Sequence, residues 1–407
     1  MAGLVRCGNY SQFHLRPLCS RGTGMGFVDA EQRLHDLAVA QAGGDNFGDP
    51  AYLEGFRVLL NAYDREAKLN AYGRQDTMHK LQMLLARRLR AQQFLAAQPR
   101  VLQLEICRPI IICGLVRTGS TALHYLMGQD PGMQNLQYWL ANSPQPRPPR
   151  NQWPSKPDFQ AAVAELDAMY EADPSLKAMH FMMADGPEEC RHLLAQSFTD
   201  DGFEVNASIP SYSQWYENAD LEFAYRHHKQ LIQIIGSNDA NRRWLLKYPV
   251  HLRHLSALFK VYPDACVVWT HRDPAQVLPS YCSLVAGFRA IWEDNTDPKD
   301  VSARQLELWA RGAEKALECR RQMDPAQFYD LHFVDFMADP MLAIQNIYSY
   351  FDQPLSEDAQ IRMRAWNKSN PQHKHGKHRY SDAIGVSKEA IHERFATYMQ
   401  ALDVRAE

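Results

Sequence analysis

Residues 108–127 read Arg-Pro-Ile-Ile-Ile-Cys-Gly-Leu-Val-Arg-Thr-Gly-Ser-Thr-Ala-Leu-His-Tyr-Leu-Met. Ile110, Ile111 and Ile112 form a β-branched run of the kind found in a strand covered on both faces. Gly114 and Gly119 bracket a turn that needs unusual backbone angles or close approach of a ligand. Beyond the turn, Ala122, Leu123, Leu126 and Met127 recur at helical spacing, with Ser120 or Thr121 available as the cap. A helix entered through such a turn aims several N–H groups and the positive end of its dipole at one spot, where an anion is stabilised. Arg117 adds a full positive charge there.

The turn nearly matches the phosphate-binding pattern G-x-x-x-x-G-K-[ST], but Ser120 stands at the lysine position. Nucleotide triphosphatases and kinases of that type place the lysine on the transferred phosphate and the hydroxyl on magnesium. Its loss argues against an ordinary nucleotide triphosphatase and leaves a site for a phosphate-like group.

The surrounding chain is that of an ordinary globular protein: 407 residues, 45% hydrophobic and 22% charged, with a formal net charge of −3. That charge gives no sign of a nucleic-acid partner. Eight cysteines are scattered without a C-x-x-C pair, and Cys107, Cys113, Cys266 and Cys282 sit in apolar stretches that predict buried thiols. The pattern fits a reducing compartment. No apolar run approaches the roughly 18 residues of a membrane span. Residues 1–28 carry Arg6, Arg16 and Arg21 but no acid, and read as a poorly ordered tail. Residues 29–100 have helical patterning, with Leu34, Leu37 and Ala38, then Leu53, Phe56, Leu59 and Leu60, then Leu81, Leu84, Leu85 and Leu89. They are expected to form an extension packed on the domain of residues 101–407.

Between Pro144 and Pro157 six prolines and two arginines predict a surface loop. Lys177-Ala-Met-His180 and Pro187-Glu-Glu-Cys190 then bring a histidine near two carboxylates, either a general-base region or a cap with surface acids. A second strand end appears in Trp244-Leu-Leu-Lys-Tyr-Pro-Val-His251, where Pro249 stops the strand and Lys247 projects from it. A third is Ala265-Cys-Val-Val-Trp-Thr270, ending in His271-Arg-Asp-Pro274. Arg272 and Ser280, about two helical turns apart, are suited to grip one phosphate by a bidentate fork and a short donor; pairing of Arg272 with Asp273 is the structural alternative. Helices are expected over 159–170, 301–321 and 341–351, and a strand over 328–333. Asn370-Pro-Gln-His-Lys-His-Gly-Lys-His-Arg-Tyr380 is strongly basic, either a solvated loop or a lid over phosphates.

These motifs together resemble the sulfotransferases, in particular their bacterial-type branch. Gly114-Leu-Val-Arg-Thr-Gly-Ser-Thr121 with Leu123-His124 is similar to the family's 5′-phosphosulfate loop, with Val116 where proline is common and Ser120 where threonine is common. Lys247-Tyr-Pro-Val-His-Leu, His-Arg-Asp-Pro and Ser280 resemble its 3′-phosphate segment, and Arg272 and Ser280 fall at that motif's arginine and serine. His180 with Pro187-Glu188-Glu189, and Gly376-Lys-His-Arg-Tyr380, also resemble segments of that branch. The resemblance implies an α/β, P-loop-like three-layer fold with a central parallel sheet flanked by helices, besides the helical N-terminal extension.

It also implies a donor, 3′-phosphoadenosine 5′-phosphosulfate, and transfer of its sulfuryl group to an acceptor hydroxyl or amine. Arg117, Thr118, Gly119, Ser120 and Thr121 would hold the 5′ end, Arg272 and Ser280 the 3′-phosphate, and Gly376 and Lys377 the closing loop. Arg117 and Lys247 would stabilise the leaving oxygen without a metal. His180 would take the acceptor proton, with Glu189, Glu188 and His251 in reserve. The partners expected are this donor and a small-molecule, lipid or carrier-bound acceptor, in a cytoplasmic setting, with a homodimer as a candidate assembly. A kinase-like phosphoryl transferase and a nucleotide-binding protein without catalysis are the competing readings.

Overall fold

The structure, a computed structural model, describes residues 25–174, 176–179, 181–371 and 385–407. Its centre is a parallel sheet of five strands: β1 (Ile110–Gly114), β2 (Met133–Asn135), β3 (Arg243–Lys247), β4 (Cys266–His271) and β5 (Phe328–His332). The spatial order is β2-β3-β1-β4-β5, so the first strand lies in the middle. Every residue of β1 and β4 is buried, as their unbroken apolar runs require of strands covered on both faces. In register, Ile112 stands beside Lys247 of β3 and Gly114 beside Thr270 of β4. The carboxyl ends of β3, β1 and β4 therefore emerge side by side, at the edge where open α/β sheets bind ligands.

Among the described residues three α-helices precede the sheet: α1 (Glu31–Ala42), α2 (Tyr52–Arg65) and α3 (Ala71–Ala97). Leu34, Phe56, Leu59, Leu60, Leu81, Leu85 and Leu89 are buried, each a residue of the expected helical pattern. Phe27 is fully buried, its N–H donating to Asp64 Oδ1 at 2.7 Å. These helices are stitched to the sheet domain through polar atoms. Buried Arg88 of α3 donates to Gln196 O at 3.3 Å and Ser197 Oγ at 3.2 Å, and Asn70 N–H donates to Trp292 O at 2.9 Å.

The remaining expectations land within a few residues: helices Pro157–Ala172, Pro298–Gln322 and Pro340–Tyr350, each opened by a proline whose missing N–H costs nothing at that position. Two expectations are corrected. Cys107 is exposed, because it lies in the turn before β1 rather than in the strand, while Cys113, Cys266 and Cys282 are buried as expected. The proline-rich stretch is not a plain surface loop, since Arg147 within it is buried. Its guanidinium donates to Asn135 O at 2.7 Å, Gln137 Oε1 at 3.0 Å and Gln134 Oε1 at 2.8 Å, closing the β2 edge of the sheet. No helix among the described residues is long and apolar enough to cross a membrane.

Candidate active site

The turn after β1 is shaped by three residues with positive φ: Gly114 (+148°), Arg117 (+62°) and Gly119 (+83°). Gly114 is required for close approach, because a Cβ there would sit 2.4 Å from the Thr270 carbonyl oxygen. Thr118, which is buried, donates to Leu115 O at 2.8 Å and shares a 2.6 Å hydrogen bond with Thr270 Oγ1, locking the turn onto β4. Helix α4 (Ser120–Met127) follows, and left-handed Gly119 is its cap residue. Neither Ser120 nor Thr121 caps it, contrary to the sequence expectation, and both hydroxyls stand in the first turn. The first-turn amides have no carbonyl partner within the helix, so they face the mouth of the turn.

Arg117 projects from this turn into solvent. Partial desolvation and, next, the charge of Arg272 lower its pKa. Two guanidinium groups from two different strand ends thus bear on one space, an arrangement that an anion relieves. One ring links Arg272 to the turn: Arg272 stacks over Phe333 at 4.0 Å, and a Cβ on Gly119 would touch the same ring at 3.0 Å.

Lys247 closes β3, and its side chain is almost fully buried. Its ammonium donates to Thr121 Oγ1 of α4 at 3.1 Å and pairs with Glu189 Oε1. The backbone repeats the tie, with Cys190 N–H donating to Lys247 O at 3.0 Å. Glu188 is buried and accepts from Glu189 N–H at 2.9 Å, so it holds the chain direction rather than reaching for a substrate. His124 of α4 lies in the same layer, fully buried, and its Nε2 has no partner among the described residues. Burial first and the Lys247 charge second push its pKa down to about 3, so it is a neutral ring at any physiological pH.

At β4, Asp273 caps the helix Pro274–Trp292 by accepting from Ala275 N–H at 2.8 Å, and it also takes His392 Nε2 at 2.8 Å. With those partners Asp273 is not the ion-pair partner of Arg272. That guanidinium instead lies 3.4 Å from Glu407 Oε2. Ser280, buried on the second turn of that helix, completes the strand–loop–helix unit. His251 falls outside the site. It is buried among Tyr225, Tyr248 and His228, its Nδ1 sits 2.8 Å from Tyr225 OH, and burial drives its pKa well below the usual value. His180, Gly376 and Lys377 lie outside the described residues. No group of three or more metal-ligating side chains occurs among the described residues.

The structure therefore gathers Thr118, Gly119, Ser120, Thr121, Lys247 and Glu189 around the turn after β1 and the end of β3, with Arg117 facing Arg272 of the β4 end and Ser280 on the helix that follows it. Sequence reasoning quoted His124 only as part of the loop motif, and it passed over Phe333, Glu407 and the buried acids Asp200 and Asp201, because each gains its place only through a distant partner. For the acids a signal existed: two adjacent carboxylates inside Phe198-Thr-Asp-Asp-Gly-Phe203, where burial demands compensation.

A parallel α/β sheet whose strand ends carry a glycine-bounded helix N-terminus, a buried lysine and two converging arginines defines a protein that handles an anionic group. The comparisons with known proteins narrow the class. The sulfotransferase family model matches residues 109–357, and the chain belongs to that family. The solved structure of sulfotransferase STF1 from Mycobacterium tuberculosis H37Rv is 38% identical, with a TM-score of 0.84 over 92% of this chain and 100% of that one. That of sulfotransferase STF9 from Mycobacterium avium is 26% identical, with a TM-score of 0.87 over 95% of this chain and 100% of that one. Among curated proteins, the omega-hydroxy-beta-dihydromenaquinone-9 sulfotransferase Stf3 of Mycobacterium bovis is 26% identical over 266 residues. That match covers 60% of this chain and 62% of the relative.

Proposed function

We propose that this protein moves a sulfuryl group from 3′-phosphoadenosine 5′-phosphosulfate to the hydroxyl, or amine, of an acceptor. The observation that carries the reading is the position of the Lys247 ammonium, buried at the end of β3 against Thr121 of the turn-and-helix unit. The acceptor oxygen attacks sulfur in line. The bond from sulfur to the 5′-phosphate oxygen breaks, and the charge left on that oxygen is met by Lys247, Arg117 and the first amides of α4. Arg272 and Ser280 bind the 3′-phosphate, which ATP lacks. Gly376 and Lys377 are assigned to a segment that closes over the nucleotide.

The acceptor proton needs a base. His180 is the assignment from sequence. Glu189 is the second candidate, favoured by its ion pair with Lys247, which holds a carboxylate at the reacting end. When Lys247 turns to the leaving oxygen, that carboxylate is released to accept a proton. The name of the relative Stf3 specifies an omega-hydroxy acceptor, which supports a hydroxyl here. The six described cysteines are all unpaired, which supports a cytoplasmic setting.

Isotope-labelled donor incubated with a panel of hydroxylated acceptors tests the reading. Label should pass to at least one acceptor, with no loss when metal is chelated. Turnover of ATP that a chelator abolishes would replace it with the kinase reading, and binding without turnover of any donor with that of a non-catalytic module.

A further inference from the structure

The segments that carry Glu189 and Lys247 meet a second time just behind these residues, in a buried cluster the reaction itself does not use. Arg191, two residues past Glu189, donates Nε to Asp200 Oδ1 at 3.3 Å and Nη2 to Oδ2 at 2.9 Å. Tyr248, which follows Lys247, has its hydroxyl 3.0 Å from Asp200 Oδ1 and 2.6 Å from Asp201 Oδ1. Asp201 N–H donates to the same phenol oxygen at 3.2 Å. Tyr281, which follows Ser280, donates to Asp201 Oδ2 at 3.4 Å. Both carboxyl groups are less than a tenth exposed.

Hydrogen-bond accounting assigns the protons. A phenol donates once, so Tyr248 cannot donate to two carboxylates. A 2.6 Å contact with the second would set two lone pairs against each other unless that carboxyl carries a proton. Asp200 is neutralised by Arg191, whose charge holds its pKa below the carboxylate range although burial acts the other way. Asp201 lacks such a partner, and burial together with the Asp200 charge pushes it up to about 7. The chain then runs from the Asp201 carboxyl to the Tyr248 hydroxyl, from there to the Asp200 carboxylate, and ends on Arg191. Facing the pair from neighbouring elements are Glu204, Arg253, Tyr212, Tyr216 and, from α2, Tyr63. Arg253 is itself paired with Glu204.

We propose that Asp200 and protonated Asp201 are the positioning residues of this site: through Arg191 and Tyr248 they fix Glu189 against Lys247, and through Tyr281 they fix the helix carrying Ser280. What Lys247 does there rests on the sulfuryl-transfer reading, whereas the tie itself does not. Asp200 reaches Glu189 and Lys247 through Arg191 and Tyr248, whereas the Tyr281 arm hangs on Asp201. A displacement of about 1 Å at a reacting group costs on the order of a hundredfold in rate, so loss of the Asp200 arm falls on turnover rather than on donor binding.

The test uses the full chain and three variants: Asp200→Asn, Tyr248→Phe and Asp201→Asn. Steady-state kinetics with labelled donor give kcat and KM against pH, and hydrogen exchange reads the Cys190 amide that bonds to Lys247 O. Asp200→Asn should lower kcat by about tenfold to a hundredfold, leave the donor KM nearly unchanged and speed exchange at Cys190. Tyr248→Phe should act in the same direction and stands in if Asp200→Asn does not fold. Asp201→Asn, an isostere of the protonated acid, should follow wild type below pH 7 and lose a decline that wild type shows above it. Wild-type kcat and exchange in both Asp200→Asn and Tyr248→Phe would overturn the proposal, as would Asp201→Asn being as damaging as Asp200→Asn at pH 6. If wild type transfers no label to any acceptor, the functional reading fails on its own. Exchange at Cys190 then decides, faster in Asp200→Asn supporting the tie and unchanged overturning it.

Discussion

Lys247 and Arg272 stand on opposite sides of β1, at the ends of β3 and β4, and each faces a glutamate. Their surroundings differ. Lys247 is 3% exposed, bonded to a hydroxyl and a carboxylate and braced by its own backbone. Arg272 is 25% exposed, lies on one face of Phe333, and meets Glu407 at 3.4 Å, a partner itself 29% exposed. A buried pair is costly to desolvate and costlier to break, so it suits a group that must already be in place when charge develops. An exposed pair contributes little and yields to a better anion. Under the proposed function the contrast assigns two tasks: the β3 end would serve the chemical step, and the β4 end would recognise a phosphate that arrives from solution.

If that division holds, variants at the two ends should fail in different ways. The largest effect belongs to the base. His180→Ala should lower turnover by about 10² to 10⁴ with donor binding near normal. If His180→Ala keeps full activity and Glu189→Gln loses it by that factor, the carboxylate beside Lys247 takes the role. Next come Lys247→Ala and Arg117→Ala, each expected to lower kcat by roughly two orders of magnitude, with Arg117→Lys retaining more. A rise in KM alone would move these cations to the binding side of the comparison.

Smaller effects sharpen it. Glu407→Gln should tighten binding of the 3′,5′-bisphosphate nucleotide by about two- to fivefold, the scale of one exposed ion pair, and leave kcat unchanged. Weaker binding in that variant would show Glu407 helping to orient Arg272 rather than competing with the phosphate. Smallest is a stability effect. Asp201 carries a folded-state pKa of about 7 against 3.8 for the ordinary group. Between those values the unfolded chain releases a proton that the folded chain retains, so rising pH costs stability across this window. Asp201→Asn should therefore melt roughly 2 °C above wild type at pH 8 and lose that advantage at pH 4. A gain that is equal at both pH values would contradict the shared proton.

The fold was legible where local pattern and burial agree. Ile110–Ile112 and the run from Ala265 to Thr270 are short and apolar, and nothing but a covered parallel strand accommodates both at the ends of glycine- and proline-marked turns. Cys107 misled because a thiol beside a strand has no periodicity to place it. The cap was misread for a related reason: Ser120 and Thr121 are good caps by type, but the left-handed angle at position 119 is open to glycine and moves the cap one residue back. Arg117, Lys247, Arg272 and Ser280 could be named from sequence because three separated stretches each carry a strand end. The partners of those residues could not. Glu189 reaches Lys247 across 58 residues and Glu407 reaches Arg272 across 135, and no spacing rule connects them. Asp200 and Asp201 carry a signal in their adjacent carboxylates, but their partners Tyr248 and Arg191 are joined to them only by the fold.

Calorimetry with the desulfated donor product tests the division between the two strand ends most directly. The 3′,5′-bisphosphate nucleotide should bind far more tightly than AMP if, as proposed, Arg272 and Ser280 read the extra phosphate. Arg272→Ala should weaken it by tenfold or more, the cost of one charge-assisted contact of about 1.5–3 kcal/mol, and leave AMP nearly unaffected. Equal affinity for the two nucleotides in the wild-type protein would contradict the assignment of the β4 end, and with it the sulfuryl donor proposed for the whole site.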